Sequence, residues 1–161
     1  MDCGSHCVDL LRFLVGEVAE VTAFVDTLAF SYPVDDTATM LLKLKTGAHA
    51  VVSSHWSTLI PAAEESSSLS IYGTRGMITS APLSDKQSKG ILRLATRTER
   101  AEYRYEQSTH VALLEAFTAC IEQDAPVPIN GCDGLQVCRV IAAAYESARS
   151  GRVVPVEDAA G

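Results

Sequence analysis

The opening stretch MDCGSHCVDLLRFLVGEV places an imidazole, His6, between two carboxylates, Asp2 and Asp9. These residue types handle protons. A carboxylate that accepts one ring N–H fixes the imidazole and leaves the other nitrogen free to take or give a proton. Gly4 permits a bend and Ser5 is the expected N-cap of a helix, which puts His6 in the first helical turn. Asp2 then lies across the bend from His6. Asp9, three residues on, shares its helix face as a second partner. The same pattern also suits an exposed histidine at a helix start that does no chemistry.

His55 and Trp56 end an expected strand. Alternation sends their side chains to opposite faces, so one reaches a cleft and touches substrate while the other packs. A core aromatic beside a surface histidine satisfies the same two residues. His110 reads as a polar helix start, Tyr103 and Tyr105 as one packed strand face, and Glu64-Glu65 as solvated loop charges.

Cys3, His6 and Cys7 carry zinc-type donor atoms. No second cluster accompanies them, and Cys7 falls on an apolar stripe, where cysteine behaves as a small hydrophobe. No metal site is expected. The sequence has no Gly-x-Gly-x-x-Gly, no Walker A and no Gly-x-Ser-x-Gly. Gly73-Thr74-Arg75-Gly76 lies between two expected strands rather than before a helix, so it reads as a tight turn and not a phosphate cradle. No residue of this chain is assigned to cofactor binding.

The elements that position these groups follow from periodicity. Cys7, Leu10, Leu11 and Leu14 recur at helical spacing, and Gly16 stops that helix. Residues 18–30 read as a strand, with Pro33 and Asp35-Asp36 marking a turn. Two β-prone runs flank Thr46-Gly47 as a hairpin. After a polar connection over 61–68, a second hairpin surrounds Gly73–Gly76. Residues 81–90 are an expected loop, and ILRLATR with RAEYRYEQ forms a third hairpin. Val111, Leu114, Phe117, Cys120 and Ile121 then return to helical spacing. A last helix is capped at Asp133 with Gln136 as its capping-box partner, presents Leu135, Val140, Ile141 and Ala144, and ends at Gly151. VVPV closes as an edge strand, since Pro155 has no N–H for a ladder. A helix, a block of strands and two helices predict an α+β fold: an open, predominantly antiparallel β-sheet with helices packed on one face.

With 161 residues, the chain is long enough for one domain with its own core. A net charge of −7 argues against nucleic acid, whose phosphates need a basic surface. No apolar run approaches the roughly 18 residues of a membrane span, so no membrane partner is expected. There is no basic-then-apolar leader, and the five scattered cysteines do not form a disulfide framework; a cytoplasmic location is expected. The expected partners are small molecules and other protein chains.

DCGSHCVDLLRFLVGE resembles the first segment after the cofactor domain in the Gfo/Idh/MocA family of NAD(P)-dependent sugar and polyol oxidoreductases, through Asp2, Gly4, His6, Asp9, Leu10 and Gly16-Glu17. DDTATMLLKLKTGAHAVVSSHW, LSIYGTRGMI and DGLQVCRVIAAAYESARSGRVVPV are similar to later segments of the family, in the same order. The resemblance implies that residues 1–161 are a single C-terminal substrate-binding and oligomerisation domain, with the family's N-terminal Rossmann domain absent from this chain. It implies NAD or NADP as cofactor of the full-length enzyme and none held by this chain alone. It also implies a sugar, inositol or related polyol as substrate, with His6 as acid/base helped by Asp2, and Asp9, His55 and Trp56 as further substrate contacts. A homodimer or larger oligomer formed through the sheet face is implied as well. The chain alone is expected to be inactive, because the motif that carries the chemistry stands at its edge. Without a cofactor half, a self-associating interaction module is the alternative.

Overall fold

The computed structural model describes residues 2–56, 67–81, 90–105 and 109–157. Residues 61–66 of the expected connection and 82–89 of the expected loop lie outside the described residues, while Ala81 and Gly90, expected in that loop, belong to strands. In chain order the elements are α1 (Asp2–Val15), β1 (Val18–Asp26), β2 (Thr37–Leu44), β3 (His49–His55), β4 (Leu69–Gly73), β5 (Gly76–Ala81), β6 (Gly90–Thr96), β7 (Arg100–Tyr105), α2 (Thr109–Glu122), α3 (Gly131–Ser150) and β8 (Val154–Pro155). This is the expected α+β fold. It divides into two compact units, Met1–Thr58 with Pro128–Gly161, and Leu59–Val127.

In the first unit an antiparallel sheet runs in the order β3-β2-β1-β8. Strand alternation turns Ala38, Met40, Leu42 and Leu44 of β2 inward and leaves Thr39, Leu41 and Lys43 outward. Val21, Ala23 and Val52 join the inward side. α1 and α3 cover that side, with Val8, Val140 and Ala144 packed into the same core cluster. Among the described residues of this unit no helix packs on the outward side, and Phe24, Leu41 and Val51 remain exposed on it. A sheet covered on one face alone yields this division of a strand into apolar-in and mixed-out positions.

Two polar side chains fasten the helices. Arg12, at the end of α1, is buried. It donates through Nε and Nη2 to the Glu17 carboxylate at 3.0 and 2.7 Å, and through Nη1 to the Asp133 carbonyl at 3.0 Å. One guanidinium thus joins the exit of α1 to the entry of α3. Ser147 of α3 is buried more deeply. Its hydroxyl donates to the Arg152 carbonyl at 2.6 Å and accepts the Ala23 N–H of β1 at 3.1 Å. The edge strand β8 is only two residues long and its ladder stops at Val154, opposite Val21, short of Ala23. Ser147 takes the place of the missing strand partner.

Several sequence expectations shift. The buried side of α1 is Gly4, Val8 and Arg12, with Cys7 and Leu11 beside them, while Leu14 is exposed. The helix begins at Asp2, so Ser5 lies within it and does not cap it, and Gly4 is a buried helical residue rather than a bend. α3 is capped one turn earlier than expected. The Asn130 side chain accepts the Cys132 N–H at 2.7 Å and Asp133 accepts the Asn130 N–H at 2.9 Å, so Asp133 is the partner of the capping box and not its first residue. The packed side of α3 is Val137, Val140, Ala143, Ala144 and Ser147, and Leu135 is exposed. Gly151 ends the helix in the left-handed conformation, as expected.

The second unit holds an antiparallel meander, β4-β5-β6-β7, and α2. Thr74 and Arg75 form the tight turn between β4 and β5. The helical face expected for α2 is present, but Val111, Leu114, Phe117 and Ile121 are exposed on it.

Two substitutions test these packing claims. Ser147→Ala leaves the Ala23 N–H and the Arg152 carbonyl without their partner, and is expected to cost about 2 kcal/mol in urea unfolding. A Cβ at Gly76 would stand 2.4 Å from the Ala95 carbonyl oxygen across the β5–β6 ladder. Gly76→Ala is therefore expected to destabilise by about 2 kcal/mol, read as a lower urea midpoint.

Candidate active site

α1 sets the location. Its C-terminal end is tied to the β2–β3 turn, where the Lys45 N–H donates to the Glu17 carbonyl at 2.9 Å. A helix of 14 residues rises about 21 Å, close to the roughly 23 Å covered by the seven residues of β3. α1 packs along β3. Its first turns therefore stand at the far end of the sheet, where β3 stops at His55 and β2 starts at Thr37. His6 is exposed in the second turn of α1. Asp2 opens the helix four residues earlier, a spacing that makes the two positions neighbours on the helix surface; the Asp2 side chain is outside the described residues.

The other candidates separate. Asp9 is half-exposed, and its carboxylate lies 3.8 Å from the Arg12 guanidinium. His55 shares the outward face with Ser53, whose hydroxyl is 2.7 Å from His55 Nε2 and 3.3 Å from the Thr39 hydroxyl. His55 and the helix that carries His6 are thus on opposite sides of the sheet. Trp56 follows β3 directly, at a bend. It is 64% exposed, and its N–H donates to the Asp36 carbonyl at 2.8 Å.

Asp36 is the residue that sequence reading passed over as part of a turn. It is 2% exposed. Its carboxylate accepts the N–H groups of Leu28, Ala29 and Phe30 at 2.9, 2.9 and 3.0 Å and the Thr37 hydroxyl at 3.0 Å. The Leu28 N–H is the strongest influence on its acidity. Burial acts in the opposite sense, and the Ala29, Phe30 and Thr37 donors outweigh it, holding the carboxyl at about 2. These bonds convert residues 27–36 into a fixed loop, which is why β1 stops at Asp26 and does not run on to Phe30 as expected. The signal was present in the sequence: Asp36 stands two positions before Ala38, in phase with the inward residues of β2.

The neighbouring Asp35 carboxylate accepts a short hydrogen bond from the Tyr145 hydroxyl of α3. Burial first, and then Asp35, push the Tyr145 phenol up to about 12, so it remains a donor. On α1, burial raises the Cys7 thiol, with Cys3 adding to the effect. Among the described residues no group of three or more His, Cys, Asp or Glu side chains is arranged to hold a metal ion.

Asp36 makes a pH prediction. Its folded pKa is depressed, so its stabilisation is full above the ordinary aspartate range near 4 and is lost as pH falls toward about 2. Asp36→Asn removes the charge that the three N–H groups serve. The gap in urea midpoint between wild type and Asp36→Asn is expected to be largest at neutral pH and to shrink steadily below pH 4.

Comparison with known proteins places these elements. A family model described as "Oxidoreductase family, C-terminal alpha/beta domain" matches residues 1–157. A D-apiose dehydrogenase of Rhizobium rhizogenes is 27% identical over 96% of this chain and 48% of its own length. An oxidoreductase from Agrobacterium radiobacter, solved with NAD+, L-tartaric acid and magnesium, superposes with a TM-score of 0.79 at 26% identity, over 95% of this chain and 47% of that one. The WlbA dehydrogenase of Bordetella pertussis, solved with NADH and UDP-GlcNAcA, gives a TM-score of 0.72 at 27% identity, over 98% of this chain and 44% of that one. The chain spans about half the length of the relatives it matches. It belongs to the Gfo/Idh/MocA oxidoreductase family and forms the C-terminal alpha/beta domain of that family.

Proposed function

We propose that the chain is the substrate-binding half of an NAD(P)-dependent oxidoreductase that acts on a CH–OH group of a sugar, inositol or related polyol. The observation that carries this reading is His6, an exposed imidazole near the start of α1 within a family-matched domain. The relatives solved with NAD+ and NADH support the cofactor class. The relative that acts on D-apiose supports the substrate class.

The residues divide the chemistry. A nicotinamide bound beside the substrate carbon would supply the hydride acceptor. His6 takes the hydroxyl proton as the carbinol becomes a carbonyl, and Asp2, one helical turn earlier, is its assigned helper. The Thr74-Arg75 turn joins two strands and lacks the helix start that would cradle a pyrophosphate. The dinucleotide is accordingly assigned to the half of the relatives that this chain does not span. Tyr145 stays protonated and holds Asp35 at the same end of the unit as the first turns of α1.

The exposed outward face, with Phe24, Leu41 and Val51, favours a second role in self-association. Both roles fit one polypeptide, because His6 and this face lie on opposite sides of the sheet.

The test supplies the chain with a family dinucleotide-binding half, by fusion or co-expression, and assays NAD+- or NADP+-linked oxidation of aldoses and inositols. His6→Ala is expected to lower kcat by about 10²–10⁴-fold. An unchanged rate in that variant overturns the proton-transfer role.

A further inference from the structure

We infer that the outward face of the first sheet takes a second copy of the chain about a two-fold axis parallel to the strands, so that the carboxylates of β1 in each copy lie over the histidines of β3 in the other. The inference rests on the self-association reading above and adds the arrangement of the pair and its control by pH.

Strand register fixes what the face presents. Paired residues share a face, so the outward side is built of rows that run across β1, β2 and β3. One outer row is Glu20, Lys43 and His49, and the other is Asp26, Thr37 and His55. The rows between them carry the exposed apolar side chains Phe24, Leu41 and Val51 and no ionisable group. The charges are therefore confined to the margins, and they are sorted by strand. β1 places a carboxylate in each outer row, and β3 places an exposed histidine in each.

That sorting selects a symmetry. A two-fold axis across the strands sets each strand over its own copy. Asp26 then meets Glu20 and His55 meets His49, like against like. A diagonal axis sets two corners of the face over their own copies. An axis along the strands, compatible with the aligned packing of two sheets, sets β1 over β3. Asp26 then meets His55, Glu20 meets His49, and Leu41 packs on its own copy. Lys43 falls on that axis at the edge of the face, where its ammonium leans to Glu20 at 3.3 Å. A face with carboxylates on one margin and histidines on the other is complementary to itself, which singles out a second copy as its occupant.

Histidine is the side chain that changes charge between pH 5 and 8. Protonation turns each of these contacts into a cation–anion pair, so association tightens as pH falls through that range. Within one copy, the charged group that shares the row of His55 is Asp26. Its other neighbours are neutral: Thr37, Thr39 and the Ser53 hydroxyl, 2.7 Å from Nε2, which can accept from a protonated ring. The charged groups in the row of His49 are Lys43 and Glu20. Among the described residues of this unit no helix packs on this side.

Sedimentation velocity of the chain at pH 8 and pH 6 reads the dimer dissociation constant. The wild type is expected to tighten at least about fivefold at the lower pH, a comparison that needs no variant to fold. At pH 6, Asp26→Lys and His55→Glu are each expected to weaken the dimer at least about fivefold, with unchanged circular dichroism. Mixed in equal amounts, the two variants are expected to pair with each other more readily than with themselves, because each new charge then faces its opposite. A dimer indifferent to pH, one that tightens in Asp26→Lys as the crosswise axis requires, or variants without preference for the mixed pair overturns the arrangement and leaves self-association standing. A chain that stays monomeric at both pH values up to the order of 1 mM overturns both. The proton-transfer role of His6 is read separately, in the oxidation assay.

Discussion

A carboxylate at 2% exposure must find donors or lose its charge. Asp36 finds four, all of them neutral: three consecutive backbone N–H groups and one hydroxyl. Those donors cannot be supplied by a strand, because a strand turns alternate N–H groups to opposite edges. β1 must therefore end before Leu28, and the chain must curl so that three successive N–H groups converge. The carbonyl of Asp36 accepts the N–H of Trp56 as well. The turn between β1 and β2, the start of β2 and the exit of β3 are thus fixed around a single side chain.

The opposite end of the same unit depends on Arg12. Its guanidinium has five N–H donors in a rigid fork, and the Glu17 carboxylate and the Asp133 carbonyl engage three of them. That contact settles where α1 ends relative to α3. Since a helix is a rigid rod on this scale, fixing its exit also fixes where its first turns, and hence His6, emerge. Ser147 completes the arrangement by bonding α3 to the edge of β1 that the short strand β8 leaves open. The core of Met40, Leu42, Val8 and Val140 supplies most of the cohesion. The polar contacts decide which end of the sheet the helix termini occupy.

Seen this way, the family match and the geometry concern the same end of the unit. The residues that resemble the family's first motif lie on α1, and α1 delivers them to the helix-covered side of the sheet. His55 is excluded from that location by strand parity, and Asp9 is drawn to Arg12. Among the described residues of this unit the outward face is left bare of helices, with apolar residues at Phe24, Leu41 and Val51. One sheet therefore separates two kinds of surface, one on the side of the motif residues and one with exposed apolar side chains.

Local patterns were legible in the sequence. Helical spacing located α1, α2 and α3, alternation located the hairpins, and Gly16, Gly47 and Gly151 marked turns that take positive φ in the structure. Each of these depends on neighbours a few residues apart, so a linear reading finds them. The same reading misjudged the start of α1, the cap of α3 and the length of β1. Those boundaries depend on partners distant in the chain or on a choice among several adequate caps. By itself the sequence determined the α+β class, the order of elements and the family resemblance, because periodicity and motif order are local properties. Only the tertiary structure decided that His55 and α1 take opposite sides of the sheet and that Asp36 governs the loop beside Trp56, because burial and long-range hydrogen bonding arise only when distant segments meet.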